Sequence, residues 1–171
     1  RWQRREITFQ GQRRERVREF LGRDLTDTEA DELFAGYLAR YEAGWAAFDD
    51  ALPTLHRFRE AGVTVAVLTN GDEDQQRDKL ERTGLAGGID VLIASSALPA
   101  GKPDPRAFQH ALARLGVAAE QALMIGDSLE KDVRGALATG LPAILLDRFG
   151  AHPDAGVPTI RTLNEAPTAL R

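Results

Sequence analysis

One stretch decides the fold, Leu123-Met124-Ile125-Gly126-Asp127-Ser128-Leu129-Glu130-Lys131-Asp132, because it predicts a short buried strand that stops at a glycine and turns into a helix. Asp127 is expected in the turn and Asp132 on the opening turns of the helix, so that the two carboxylates face each other. Mg²⁺ takes oxygen ligands of this kind and keeps several waters. The same pattern is equally typical of a helix whose N-cap is Asp127 or Ser128, so the stretch alone leaves both interpretations open.

Strand and helix alternate strictly on both sides of this stretch. Short apolar runs predict four strands, at residues 63–68, 89–93, 122–125 and 143–146. Helical patterns precede and separate them, at residues 50–61, 72–83, 105–115 and 129–138, the first of them capped by Asp49 or Asp50 and carrying Leu52, Leu55 and Phe58 inward. Nearly continuous apolar strands joined by helix-length connections predict one parallel sheet with right-handed crossovers, which is an α/β fold. Residues 157–160 are a candidate for an additional edge strand.

The first 47 residues have a different pattern and are expected to be helical throughout, as a small bundle or lid. The residues Thr26-Asp27-Thr28-Glu29 form a capping box that opens a helix. Aromatic residues recur along this helix and just beyond it, and we expect them to pack as helix–helix core; the alternative is that they line a substrate pocket. These residues are Phe34, Tyr37, Tyr41, Trp45 and Phe48. The eight arginines of residues 1–23 are either a basic patch for phosphate or, as we expect, a solvated helix face with Glu15 and Glu19 as intrahelical partners.

The composition excludes several classes of function. The chain has 171 residues, enough for one domain with a small appendage, and 43% of them are hydrophobic, so a sizeable core can form. The absence of cysteine excludes disulfides, thiol nucleophiles and Cys-ligated metals, and the three histidines lack metal-ligand spacing. The net charge of −4 argues against nucleic-acid binding, and no apolar run is long enough to span a membrane. We therefore expect a cytoplasmic protein with neither nucleic-acid nor membrane partners.

Polar side chains are expected at three strand ends. Thr69-Asn70-Gly71 follows the first strand, Lys102 lies in the loop after the second, and Asp127 follows the third. Each has a structural explanation as a turn, a solvated lysine or a helix cap. Ligands of open parallel sheets bind outside the carboxyl ends of the strands, however, so three such ends at one edge favour a shared site.

Phosphoryl transfer is the chemistry that suits this set. Thr69 is expected to donate a hydrogen bond to a phosphoryl oxygen, helped by backbone N–H groups at the start of the next helix. Lys102 is expected to neutralise charge on the phosphoryl group and on an acidic nucleophile. Asp127, with Asp132, is expected to hold Mg²⁺ against the phosphate.

These motifs resemble the second, third and fourth motifs of the haloacid dehalogenase (HAD) superfamily. They are Val65-Ala66-Val67-Leu68-Thr69-Asn70-Gly71, Gly101-Lys102-Pro103-Asp104-Pro105, and Ile125-Gly126-Asp127-Ser128 with Asp132, Gly135 and Ala136. The resemblance implies a Rossmann-like sheet with a small α-helical cap, residues 1–47 being part of the cap and residues 48–171 the core. It implies catalytic or substrate-binding roles for Thr69, Asn70, Gly71 and Lys102, and Mg²⁺ ligation by Asp127 with support from Asp132.

The chain departs from the superfamily pattern at its start. The resemblance implies a nucleophilic Asp in an Asp-x-Asp motif on an N-terminal strand ahead of the cap, and this chain contains no such strand. We expect the nucleophile upstream of residue 1, and we expect the 171 residues alone to be inactive. The expected function is a Mg²⁺-dependent phosphatase of small phosphorylated metabolites that uses an aspartyl-phosphate intermediate. The alternatives are a metal-independent 2-haloacid dehalogenase and a catalytically inactive binding or regulatory relative.

Overall fold

The structure is a computed structural model that describes residues 8–168. The chain divides into two compact units, with the boundary between Ala46 and Ala47. The first unit consists of two helices, α1 (Phe9–Leu21) and α2 (Asp27–Ala43). The predicted capping box at the start of α2 is confirmed, since Thr26 Oγ1 accepts from Glu29 N at 3.3 Å and Glu29 Oε2 accepts from Thr26 N at 2.8 Å. The predictions that concern residues 1–7 lie outside the described residues.

Ion pairs between the two helices hold the first unit together. Arg14 donates to Asp31 through Nε at 2.8 Å and also pairs with Asp27. Arg18 pairs with Asp27 at 2.6 Å. The hydrogen bonds from Arg14 lower the pKa of Asp31 below its ordinary value. The expected intrahelical pairing is therefore wrong for these two arginines, because acidic residues at the start of α2 lie within reach of the face that α1 presents to it.

Aromatic residues of α2, together with Trp45 just beyond its end, contact one another in sequence. The ring centroids of Phe34 and Tyr37 are 5.7 Å apart, those of Tyr37 and Tyr41 6.0 Å, and those of Tyr41 and Trp45 5.8 Å. Tyr37 is 54% exposed and Tyr41 42% exposed. The expectation of a buried helix–helix core is wrong for these two tyrosines, because residues three and four apart pack on one another along the same helix. Ala30 is fully buried.

The second unit alternates strands and helices as predicted. Its helices are α3 (Ala51–Glu60), α4 (Glu73–Arg82), α5 (Pro105–Leu115) and the short α6 (Gly135–Leu137), the last preceded by a π-helical segment, Leu129–Arg134. Its strands are β1 (Ala66–Thr69), β2 (Val91–Ala94), β3 (Met124–Gly126), β4 (Ala143–Leu146) and β5 (Thr159–Ile160). The predicted additional edge strand is confirmed as β5, which pairs with β4. Leu52 of α3 is 41% exposed, so its predicted inward position is wrong.

The strands form two parallel sheets where the sequence predicts one. Strand β1 pairs with β2 from Ala66–Val91 to Thr69–Ala94, and β3, β4 and β5 form the second sheet in that order. Within residues 8–168, β1 and β3 are both edge strands, each with one unpaired side. The crossover from β2 to β3 therefore begins a new sheet instead of extending the first.

Helix α5 connects the two sheets through the core. Its Phe108 is fully buried in the cluster around Val133 and Leu145, next to the second sheet. Its Ala107 and Ala111 lie in the cluster around Ile93 and Leu98, next to the first. Leu68 of β1 packs against both clusters. The two sheets thus share one contiguous apolar layer although no backbone hydrogen bonds join them.

A buried carboxylate ties the start of α3 to the C-terminal segments. Asp50 accepts two hydrogen bonds from Arg148, at 2.7 and 2.8 Å, one from Thr162 Oγ1 at 2.7 Å and one from Leu163 N at 2.8 Å. The Arg148 guanidinium also lies 4.1 Å from the ring centroid of Phe48. Asp50 occupies the N-cap position of α3, but its side chain caps no backbone N–H there, so that prediction is wrong: the carboxylate is used by Arg148 and its neighbours.

Loss of this carboxylate is expected to destabilise the second unit. Breaking a buried ion pair leaves its partner unpaired and costs about 3 kcal/mol or more. We expect Asp50→Ala and Arg148→Ala each to lower the free energy of unfolding by roughly this amount, and the double variant to cost less than the sum. Urea denaturation followed by circular dichroism measures the three values.

The adjacent Asp49, which is exposed, provides the matched control, and Asp49→Ala is expected to change the free energy of unfolding by less than about 0.5 kcal/mol.

The Arg148 guanidinium holds the pKa of Asp50 well below its ordinary value of 3.8, so the ion pair contributes fully above that pH and is lost as the pH falls. The difference between wild type and Asp50→Ala should therefore stay constant above about pH 5 and shrink as the pH falls below about 4. A difference that is absent at neutral pH would show that this network is not stabilising.

Candidate functional site

The predicted polar residues lie at the carboxyl ends of three strands. Thr69 is the last residue of β1, Lys102 lies in the loop between β2 and α5, and Asp127 follows β3 directly. The Thr69 side chain is half-buried, and its hydroxyl makes no hydrogen bond with any residue between 8 and 168. Asp104, in the same loop as Lys102, caps α5 by accepting from Arg106 N at 2.9 Å, and hydrogen bonds from Arg106 lower its pKa to about 2.

The Lys102 ammonium is buried and held by two acceptors. Its side chain is 11% exposed, and Nζ donates to Asp132 Oδ1 at 2.6 Å and to the Leu68 carbonyl oxygen at 2.6 Å. A lysine ammonium has three N–H donors, so one remains for a ligand. The lysine thereby connects the strand end of β1 with the segment that follows β3.

Asp132 is engaged on both carboxylate oxygens. Oδ1 pairs with Lys102, and Oδ2 accepts from Ser128 N at 3.0 Å. A Cβ atom added to Gly126 would lie 2.4 Å from Asp132 Cβ, so only glycine allows the aspartate to approach the end of β3 this closely. The sequence pattern Gly-Asp-Ser predicts the turn, but it does not indicate that Gly126 makes room for Asp132.

The structure distinguishes the helix cap from the free carboxylate. Ser128 Oγ accepts from Lys131 N at 3.2 Å, which makes Ser128 the N-cap of the π-helical segment. Asp127 is exposed, and within the described part of the chain its carboxylate has no hydrogen-bond or ion-pair partner. π-Helical turns occur frequently at functional sites. The capping interpretation therefore applies to Ser128, and Asp127 is available for a ligand.

The start of α4 is less open than the sequence predicts. Asp72 caps this helix by accepting from Gln75 N at 3.2 Å, and Glu73 N donates to Ser96 Oγ at 3.0 Å. Acidic residues also occupy its first turn, at Glu73 and Asp74. The expectation that these N–H groups help to bind a phosphoryl oxygen is wrong for Glu73 and Gln75, because protein oxygens already accept from both.

Asn70 is bonded to the backbone of Lys102. Its Nδ2 donates to the Lys102 carbonyl oxygen at 2.6 Å, and its Oδ1 accepts from Lys102 N at 2.7 Å. A Cβ atom at Gly101 would lie 2.8 Å from Asn70 Oδ1, so glycine permits this approach. Ser95, at the end of β2, is buried next to Gly101, and its hydroxyl lacks a hydrogen-bond partner within residues 8–168.

The carboxylates of the site fit Mg²⁺ in part. Asp127 supplies a free, exposed oxygen ligand of the kind that Mg²⁺ prefers. Both carboxylate oxygens of Asp132 already accept hydrogen bonds from protein donors, and the main partner of this carboxylate is Lys102. No group of three or more His, Cys, Asp or Glu side chains is placed to hold a metal ion among residues 8–168. The described residues therefore offer one direct ligand for this ion and one supporting carboxylate.

A parallel α/β core with polar residues beyond its strand ends is the arrangement at which open α/β sheets bind ligands. A model of the haloacid dehalogenase-like hydrolase family matches residues 1–140. The chain belongs to this family, and the predictions of superfamily membership and of a Rossmann-like α/β fold are confirmed. No helix within the described residues is both long and apolar enough to cross a membrane.

Several relatives share extended similarity with the chain. It is 44% identical over 107 residues to a phosphoserine phosphatase of Thermus thermophilus, covering 63% of this chain and 43% of that protein. It is 38% identical over 132 residues to a phosphoglycolate phosphatase of Rhodospirillum rubrum, covering 74% and 54%. The crystal structure of a HAD phosphatase from Thermococcus onnurineus superposes with a TM-score of 0.66 at 30% identity, covering 92% and 86%. The chain spans about half the length of the two curated relatives.

The contact between Gly126 and Asp132 provides a test of the site's construction. In Gly126→Ala the added methyl group would occupy space now filled by Asp132 Cβ, so the buried aspartate must shift, which disturbs its contact with Lys102. Overpacking combined with a weakened buried ion pair is expected to lower the free energy of unfolding by about 3 kcal/mol. Urea denaturation measures this change.

Gly87→Ala is the matched control, because Gly87 is exposed and an added Cβ there meets no atom within 4 Å. Its effect is expected to stay within about 0.5 kcal/mol of wild type. If Gly126→Ala is as stable as Gly87→Ala, the close approach of Asp132 to β3 is not present in solution.

Proposed function

We propose that this chain is part of a Mg²⁺-dependent phosphatase that acts on a small phosphorylated metabolite through an aspartyl-phosphate intermediate. One observation carries the proposal: the buried Lys102 ammonium keeps a free donor at the strand ends where Thr69 and Asp127 also lie. The matched relatives described as phosphatases support the same activity. In the proposal, residues 1–47 are part of a helical cap that contributes to substrate selection.

The proposed roles follow from the chemistry of each group. Thr69 Oγ1 and the free Lys102 N–H donate hydrogen bonds to phosphoryl oxygens, and a backbone N–H of Gly71 is proposed to assist them. Preorganised donors of this kind stabilise the charge that develops in a phosphoryl-transfer transition state. Asp127 would hold Mg²⁺, which supplies charge neutralisation on the phosphoryl oxygens when it is bound.

The nucleophile of the proposed reaction is an aspartate on a strand upstream of residue 1. The unpaired edges of β1 and β3 support this placement, because exposed internal strand edges are pairing surfaces that folded proteins normally cover. The length of the relatives, about twice the matched part, supports it as well. The 171 residues alone are accordingly proposed to be inactive.

The decisive assay uses the complete gene product that contains this chain. We expect release of phosphate from p-nitrophenyl phosphate that depends on added Mg²⁺. Asp127→Ala is expected to lower this rate by about a hundredfold or more, because a metal that stabilises transition-state charge contributes several kcal/mol. Glu120→Ala removes an exposed carboxylate ahead of β3, on the opposite side from the site, and is expected to leave the rate unchanged.

Two results would contradict the proposal. Metal-independent halide release from a 2-haloacid, without phosphate release, would identify a dehalogenase. A complete coding sequence with no Asp-x-Asp motif after an apolar strand upstream of Arg1 would identify an inactive binding or regulatory relative.

A further inference from the structure

The amide of Asn70 bonds to the backbone of Lys102 through both its nitrogen and its oxygen. Its Nδ2 donates to the Lys102 carbonyl oxygen, and its Oδ1 accepts from the Lys102 N–H, at 2.6 and 2.7 Å. A side-chain amide has two N–H donors and an oxygen with two lone pairs, and one N–H and the oxygen are engaged by the backbone of Lys102. The arrangement holds the backbone of Lys102 from both sides.

The lysine side chain needs such support because its position is narrowly defined. Lys102 Nζ lies 2.6 Å from both Asp132 Oδ1 and the Leu68 carbonyl oxygen, so a shift of the Lys102 backbone would lengthen at least one of these contacts. Lys102 lies outside the strands, in the loop between β2 and α5. Asn70, one residue beyond the end of β1, links this loop to the first sheet.

We propose that Asn70 is a positioning residue that sets the location of the Lys102 ammonium through the Lys102 backbone, and that it does not bind substrate. The inference rests on the proposed phosphatase activity, in which Lys102 contacts the phosphoryl group. Gly101 is required for the same contact, since any Cβ at this position would lie 2.8 Å from Asn70 Oδ1. Loss of Asn70 and a larger residue at 101 thus have the same consequence for Lys102.

A double-mutant cycle on the complete gene product tests the inference, with p-nitrophenyl phosphate and Mg²⁺. We expect Asn70→Ala to lower kcat by about ten- to a hundredfold, because small misplacements of a catalytic group are that costly, with KM changed by less than about threefold. Gly101→Ala is expected to behave alike. In a Lys102→Met background, Asn70→Ala should lower kcat further by less than about twofold, since its effect acts through the lysine.

The other asparagine of the chain, Asn164, is exposed and serves as the matched control, with Asn164→Ala expected to match wild type in kcat and KM. Two kinetic results overturn the inference. One is a full additional loss on Asn70→Ala in the Lys102→Met background, which would mean that Asn70 acts independently. The other is a raised KM with unchanged kcat, which would mean that Asn70 binds substrate.

A second measurement separates failure of this inference from failure of the proposed function. If the wild-type gene product releases no phosphate, the proposed function fails, and amide hydrogen exchange of Lys102 measured by NMR then decides the inference. Asn70→Ala should accelerate exchange at the Lys102 amide by about tenfold or more, because this N–H donates to Asn70 Oδ1 and has no other acceptor within residues 8–168. Unchanged exchange at this amide overturns the inference.

Discussion

The candidate site depends on one buried ion pair, Lys102 with Asp132. An ammonium that is nearly removed from water is tolerated only when acceptors surround it, and here Asp132 and the Leu68 carbonyl oxygen fill that need. The same contacts connect the end of the first sheet with the segment that follows the second. Lys102 is therefore both a structural link and the group with a donor free for an anion.

Close backbone approaches make this pairing possible. Gly126 allows Asp132 to lie against the end of β3, and Gly101 allows Asn70 to reach the Lys102 backbone. The two aspartates differ in their partners. Asp132 is neutralised by Lys102, whereas Asp127 is exposed and unpaired within the described chain. This difference favours metal binding by Asp127 and a role for Asp132 in orienting Lys102.

Much of this architecture is predictable from the sequence, because apolar runs indicate strands, and capping residues and glycines indicate where helices begin and end. The bounds of α5 and β4, the capping box at Thr26 and the placement of Thr69, Lys102 and Asp127 at strand ends all follow from such patterns. The pairing order of the strands does not, because it depends on contacts between distant segments. Asp50 is the clearest case, since its capping pattern is local while its partners Arg148 and Thr162 are about a hundred residues away.

The strand ends at Thr69, Lys102 and Asp127 are proposed to form a single phosphate site. The most direct measurement is a crystal structure of the complete gene product with Mg²⁺ and orthophosphate. We expect phosphate oxygens within about 3 Å of Lys102 Nζ and of Thr69 Oγ1, with the metal on Asp127. Phosphate bound elsewhere, with the Lys102 ammonium contacting only Asp132 and Leu68, would contradict it.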